Sequence, residues 1–206
     1  MELKKALEQL RKESKKRNFD QTVDLIVNLK GIDIRKDNIN AVINIPHKVK
    51  EKKVCGFLTE KNDLIKTITK PEFQKYKDKA ALKSLVDEFD FFIAHASLMP
   101  SVATTFGKAL GPVGKMPSPQ LGVITQETSE IIKSLLEKIS KSIKIRAKEA
   151  SIKVGAGKES MKDEEIIENV KAIYDGIVQA LPTKRENVKN VQIKFTMSKP
   201  KEIDAI

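Results

Sequence analysis

The sequence predicts an α/β protein of two domains, and three observations lead there. Apolar and polar residues alternate near both ends of the chain, in QTVDLIVNLK (21–30) and NVQIKFTMS (190–198), as in strands with one buried face. Between them, KVCGFLT (53–59) and FDFFIAHA (89–96) are short, nearly unbroken apolar runs, as in strands of a parallel sheet covered on both faces. Segments with helical periodicity separate those runs. The economical reading is a discontinuous α+β domain, residues 1–52 with 142–206, around a mainly antiparallel sheet, and an inserted α/β domain, residues 53–141. Two chain crossings join such domains and can act as a hinge.

Taken in order, residues 2–17 read as a helix with Leu3, Leu7 and Leu10 on one side and a stop at Asn18. In the first strand Val23, Leu25, Val27 and Leu29 alternate with Thr22, Asp24 and Asn28, and only Ile26 breaks the rhythm. The turn-rich GIDIRKDN leads to a second strand, INAVINIPH, closed by Pro46. In the middle, 62–69 and 79–88 read as helices; after the second apolar run come a helix over 99–109, a Gly/Pro loop and a helix over 126–141. Alternation returns in SIKIRAKEASIKV, where Ile143 and Ile145 alternate with Lys144, Arg146 and Lys148 before a turn near Glu149. An amphipathic helix over 163–180 precedes the last strand. That strand sets Val191, Ile193, Phe195 and Met197 inward, against Gln192, Lys194, Thr196 and Ser198.

Composition narrows the function. Of 206 residues, 39 are Lys or Arg and 28 are Asp or Glu, a net charge of +11. A surplus of that size suits a polyanionic partner better than a small substrate. Lysine-rich surfaces also serve solubility or a thermophile's ion pairs, but here the cations cluster: residues 138–158 hold seven of them against the one acid Glu149. No apolar run approaches the roughly eighteen residues of a membrane span. The basic N-terminus lacks the apolar stretch of a secretory leader, so neither membrane nor export is expected. The single Cys55 excludes an internal disulfide and suits a reducing compartment.

Motifs for catalysis fail one by one. GKALGPVGKMPSPQLG (107–122) sets Gly107, Gly111, Gly114 and Gly122 among Pro112, Pro117 and Pro119. A phosphate-binding loop needs a glycine five residues before its Gly-Lys and a hydroxyl after it. Here those positions are Ala109 and Met116. What remains is a stiff segment presenting Lys108 and Lys115, which either packs within the protein or meets a ligand. His47 and His95 have no Cys, His or Asp cluster at metal-ligand spacing, Cys55 reads as a buried structural thiol, and the DEE at 163–165 suits a helix N-terminus. No catalytic residue, metal or cofactor is expected, and no enzyme. The polar strand positions are the better lead. Thr22, Asp24, Asn28, Lys144, Arg146, Lys148, Gln192, Lys194, Thr196 and Ser198 are cations, amides and hydroxyls that read phosphates and ribose 2′-hydroxyls. With no aromatic among them, such a face would read folded RNA by backbone and shape. An ordinary solvated face is the other reading.

Four segments bear on that choice: NFDQTVDLIVNLKGID (18–33), the Gly/Pro stretch, KVGAGKESM (153–161) and FTMSKP (195–200). Over nearly its whole length the chain resembles the family of the large-subunit ribosomal protein numbered one, the protein of the ribosome's mobile lateral stalk. NLKGID and the compact length look like the archaeal branch. The resemblance implies a discontinuous first domain and an inserted Rossmann-like, three-layer α/β/α second domain. It also implies direct binding of large-subunit (23S-type) rRNA and stalk movement as tRNA leaves the exit site. Repression of translation through the protein's own mRNA belongs to the same pattern. Position by position, the family's RNA contacts fall on Phe19, Thr22, Asp24, Arg146, Lys158, Ser160, Thr196, Met197 and Ser198, and Lys194 joins Arg146 and Lys158 as a phosphate contact from the strand pattern. Ser198 departs from the family glycine, which would allow positive φ and close approach to RNA. The expectation is a cytoplasmic ribosomal protein, monomeric when free. Its rivals are a nucleotide-dependent enzyme using the inserted domain and a non-ribosomal RNA-binding regulator.

Overall fold

The computed structural model describes residues 2–15, 17–33, 39–76, 78–147 and 149–204. Most of the expected turn at 31–38 and the expected outward Lys148 lie outside the described residues. The chain forms two compact units, Met1–Val49 with Lys141–Ile206, and Lys50–Ser140. The first unit begins with α1 (Leu3–Glu13), β1 (Thr22–Leu29) and β2 (Asn40–Asn44). The second contributes β3 (Val54–Phe57), β4 (Lys66–Ile68), α2 (Lys79–Glu88), β5 (Phe91–His95), α3 (Met99–Val113), β6 (Val123–Ile124) and α4 (Ser129–Ser140). The first unit then resumes with β7 (Ser142–Arg146), β8 (Ser151–Lys158), α5 (Asp163–Ala180), β9 (Val188–Phe195) and β10 (Lys201–Ile203). The mixed α/β class is the one the sequence predicts. No helix among the described residues is long and apolar enough to cross a membrane.

In the first unit, β10-β9-β1-β8 form a four-stranded sheet in which every pairing is antiparallel. The period of two in β1 buries Val23, Leu25, Val27 and Leu29 on one face, where Leu3, Ala6, Leu7 and Leu10 of α1 and Ile166, Val170, Ile173 and Ile177 of α5 meet them. Each fully buried leucine or isoleucine contributes about 1.5–3 kcal/mol. Helix α1 stops at Ser14, short of the expected Asn18, because SKKRN offers no apolar side chain for another buried turn. A bulge interrupts β8: Val23 pairs with Gly157 but Asp24 with Gly155, leaving Ala156 unopposed. Its carbonyl accepts from Asn169 Nδ2 of α5 at 2.9 Å. The same buried amide brackets His47, donating to its carbonyl at 3.0 Å and accepting its N–H at 2.9 Å.

Strands β2 and β7 form a separate two-stranded sheet, with Ile43 and Ile145 turned into the first unit's core. A Cβ on Gly176 of α5 would stand 2.6 Å from Ile43 Cδ1, so glycine there lets helix and strand touch. The sequence grouped Lys144 and Arg146 with one polar sheet face; they lie instead on this second sheet.

In the second unit, β4-β3-β5-β6 make a parallel sheet. Cys55, Phe57, Phe92 and Ala94 pack with Leu85 of α2 and Phe106 and Leu110 of α3, while Leu58 and Ile124 pack with Ile132 of α4. The expected helix over 62–69 is a turn followed by β4. Asn62 Oδ1 accepts from Leu64 N at 2.9 Å, a local bond that competes with helix, and the β-branched Ile65, Thr67 and Ile68 favour the strand. Helix α3 outruns its expected end at 109 and absorbs Gly111 and Pro112. It closes where Gly114 takes φ 77° and Lys115 N reaches Leu110 O at 3.0 Å, a left-handed glycine cap.

Candidate nucleic-acid interface

Antiparallel pairing brings the start of β1 beside the ends of β8 and β9: Thr22 faces Lys158, and Val23 faces Phe195. Three segments therefore meet at one rim of the sheet, namely 18–22, 158–161 and 195–198. Lys158 Nζ donates to Thr22 Oγ1 at 3.0 Å. Ser160 donates to the Asp20 carboxylate through its N–H at 3.1 Å and its hydroxyl at 2.8 Å. Thr196 Oγ1 accepts the Thr22 N–H at 3.0 Å and donates to Thr22 O at 3.3 Å. Behind the rim, Arg11 clamps the turn. It donates to Glu159 O at 2.8 Å, to Met161 O at 2.9 Å and to Asp163 Oδ1 at 2.8 Å.

The expected inward Met197 is corrected here. Strand β9 ends at Phe195, and a turn follows, closed by Ser198 N to Phe195 O at 3.0 Å and by Phe195 N to Ser198 Oγ at 2.9 Å. The turn reverses the alternation and leaves Met197 60% exposed; Phe19, on the neighbouring segment, is 50% exposed. Among the described residues the one non-glycine with positive φ is Lys184. Ser198 thus takes the turn without the left-handed backbone that would require glycine, and its hydroxyl fastens the turn.

Asp24 and Lys194 face each other across β1 and β9. Burial pushes the Asp24 carboxyl above its ordinary range, against the opposing pull of Lys194 and Lys158. A Cβ at Gly155 would meet Thr22 Cγ2 at 3.1 Å, so that glycine lets β8 pass the rim at close range. Phe19, Thr22, Lys158, Ser160, Thr196, Met197 and Ser198 thus share the rim, with Asp24 and Lys194 one step along the sheet. Arg146 is set apart on the β2–β7 pair, where burial and the charge of Arg146 hold the Lys144 ammonium below its usual value. Sequence reasoning missed Asp20 and Gln21. The inward phase of β1 extended back one residue was the available signal for Gln21, which is buried.

The second unit offers less. Lys115, expected to be presented by the Gly/Pro stretch, instead donates to Val86 O at 2.7 Å and Phe89 O at 2.8 Å. Beyond β3 the backbone amides of Thr59 and Glu60 hold the chain's own Glu127 carboxylate, at 2.8 Å and 3.2 Å. His95 accepts from Ser97 N at 3.3 Å, a helix-capping role. Burial pushes the Cys55 thiol up to about 12. Among the described residues no group of three or more His, Cys, Asp or Glu could hold a metal.

The model of the ribosomal protein L1p/L10e family matches residues 10–199. The chain belongs to the L1p/L10e family. Similar proteins include the large ribosomal subunit protein uL1 of Pyrobaculum calidifontis, 33% identical over 212 residues, covering 98% of this chain and 92% of the relative. The uL1 of Methanothermococcus thermolithotrophicus is 32% identical over 213 residues, with 97% and 96% covered. That of Thermococcus kodakarensis is 33% identical over 206 residues, with 95% and 93% covered. These relatives are archaeal, the branch to which NLKGID pointed. L1p/L10e proteins are structural ribosomal proteins and not enzymes.

Proposed function

We propose that this protein is a structural constituent of the large ribosomal subunit that binds large-subunit rRNA directly, through the rim of its four-stranded sheet. The observation that carries the reading is the convergence of Lys158, three hydroxyls and two exposed apolar side chains at one end of that sheet. A lysine suits a phosphate; Thr22, Ser160 and Thr196 suit 2′-hydroxyls; Phe19 and Met197 suit the face of a base or sugar. Ser198 fixes the turn that presents Met197. Lys194, opposite Asp24 across β1 and β9, and Arg146 on the β2–β7 pair reach phosphates farther along the RNA. On this reading the unit containing both termini is the RNA-binding domain, and Lys50–Ser140 is the inserted, Rossmann-like domain. The protein would be a cytoplasmic monomer when free and would form the mobile stalk on the ribosome. There it would assist release of exit-site tRNA, and it would repress translation by binding its own mRNA.

A filter-binding titration with transcribed archaeal large-subunit rRNA tests the reading. Neutralising about six phosphates gives a slope of log K against log salt near −4 to −5, and Lys158→Ala reduces its magnitude by about 1. Binding that ignores salt overturns the proposal. Co-sedimentation with large subunits separates a ribosomal protein from a free regulator.

A further inference from the structure

One buried side chain ties the three rim segments together. Gln21 is 1% exposed, yet both ends of its amide are used. Nε2 donates to Ser14 Oγ at 2.8 Å, just past α1, and to Glu159 Oε2 at 3.1 Å, in the turn after β8. Oε1 accepts the Met197 N–H at 3.2 Å, in the turn after β9. Its backbone carbonyl also accepts the Glu159 N–H at 2.8 Å.

We propose that Gln21 is the positioning residue of the RNA interface: without touching RNA, it sets the spacing of the segments that carry Phe19, Ser160 and Met197. The inference rests on the RNA-binding reading above. Its physical basis is that a primary amide is planar, with two donors and an acceptor in fixed directions. One such group therefore holds Ser14 and Glu159 at a defined distance from Met197. Phe19 and Met197 are exposed, so neither anchors its own segment in the core, and the hydrogen bonds of Gln21 add to the Ser160–Asp20 and Arg11 contacts in holding the rim. A glutamate at 21 would set a second carboxylate against Glu159, and like charges at that range disfavour joint ionisation. A methionine would fill the space and leave the Met197 N–H and the Glu159 carboxylate short of a partner.

The test uses the full chain and transcribed archaeal large-subunit rRNA, with poly(U) as the non-specific control, below the unfolding transition of every variant. Gln21→Glu and Gln21→Met each weaken rRNA binding by about tenfold, with the salt slope unchanged because no phosphate contact is removed. The swap Gln21→Glu with Glu159→Gln restores the pairing: the new carboxylate accepts from Ser14, from the amide at 159 and from Met197 N–H. Its affinity returns to within about threefold of the natural protein. Should Gln21→Met not fold, Gln21→Glu and the swap decide alone. A merely structural role would lower the unfolding midpoint and leave rRNA affinity of the folded variants unchanged. Natural-sequence protein that binds rRNA while Gln21→Glu binds equally well, or while the swap fails to restore binding, overturns the positioning role. If the natural protein shows no salt-dependent preference for rRNA over poly(U), the RNA reading itself fails.

Discussion

Thr196→Val isolates one hydroxyl at the centre of the rim. The backbone continues the β1–β9 ladder through Thr196 N to Thr22 O at 3.0 Å. On the other side of that rung the Thr196 hydroxyl stands where a ladder carbonyl would, accepting Thr22 N–H at 3.0 Å. Valine keeps the shape and removes the bond. Water reaches this exposed position, so the loss of stability sits at the low end for a hydrogen bond, about 0.5–1 kcal/mol, or about 1–4 °C in the unfolding midpoint for a chain of this size. RNA affinity falls further. The hydroxyl proton already points to Thr22 O at 3.3 Å, so on the proposed reading the remaining lone pair accepts from RNA, and its loss weakens binding by about 1 kcal/mol, or about fivefold. Thr196→Ser keeps the oxygen and preserves both properties. Urea unfolding and filter binding on the same preparations separate the two effects. A valine variant that binds rRNA like the natural protein, or a serine variant as weak as valine, refutes the reasoning.

Two further substitutions follow from the packing and the charges. Gly176→Ala sets a Cβ within 2.6–2.8 Å of Ile43 Cδ1, Cγ1 and Cγ2. The whole isoleucine must shift, so overpacking in the upper part of the usual range of about 1–3 kcal/mol outweighs the roughly 1 kcal/mol gained in helix propensity; denaturant melts should show destabilisation of about 1–2 kcal/mol, eased by Ile43→Val, and unchanged stability contradicts the close packing. Asp24→Asn should stabilise the protein at neutral pH, because a carboxyl whose folded pKa is raised by burial binds its proton more tightly folded than unfolded, and stability falls as pH rises through that window. The advantage of asparagine should vanish below about pH 3.9, where folded and unfolded carboxyls are both protonated; thermal melts across pH with no such convergence refute the assignment.

What the sequence made legible was periodicity. Helix α5 spans Asp163–Ala180 as its pattern required, and β1 buries the four residues its alternation named. What it hid were partners. Alternation says which side of a strand Arg146 occupies, but not that β7 pairs with β2 rather than with the larger sheet. Strand β10 has three residues, too few for a period, and exists because the edge of β9 can pair. A period of two sets Met197 inward because it says nothing about where a strand stops; the stop is set by the Ser198 hydroxyl on Phe195 N. Alternation extended back from Val23 puts Gln21 inward, but its meaning lies in its partners Ser14, Glu159 and Met197, the last two far away in sequence.

On the proposed reading, the rim also explains how acids coexist with a polyanion. Asp20 is engaged by Ser160, and Glu159 Oε2 by Gln21, so both carboxylates brace the segments that bear the contact residues. Their effect on the hydroxyls matters more. Ser160 gives its proton to Asp20 at 2.8 Å, and Thr196 gives its proton to Thr22 O at 3.3 Å. Both oxygens therefore face outward as acceptors. An acceptor pair gains nothing from phosphate oxygens, which also only accept, and requires a ligand that carries donors on its backbone. The ribose 2′-hydroxyl is such a donor, and deoxyribose lacks it. On the proposed reading, the internal hydrogen bonds of the rim, more than its net charge, make it suited to RNA over DNA.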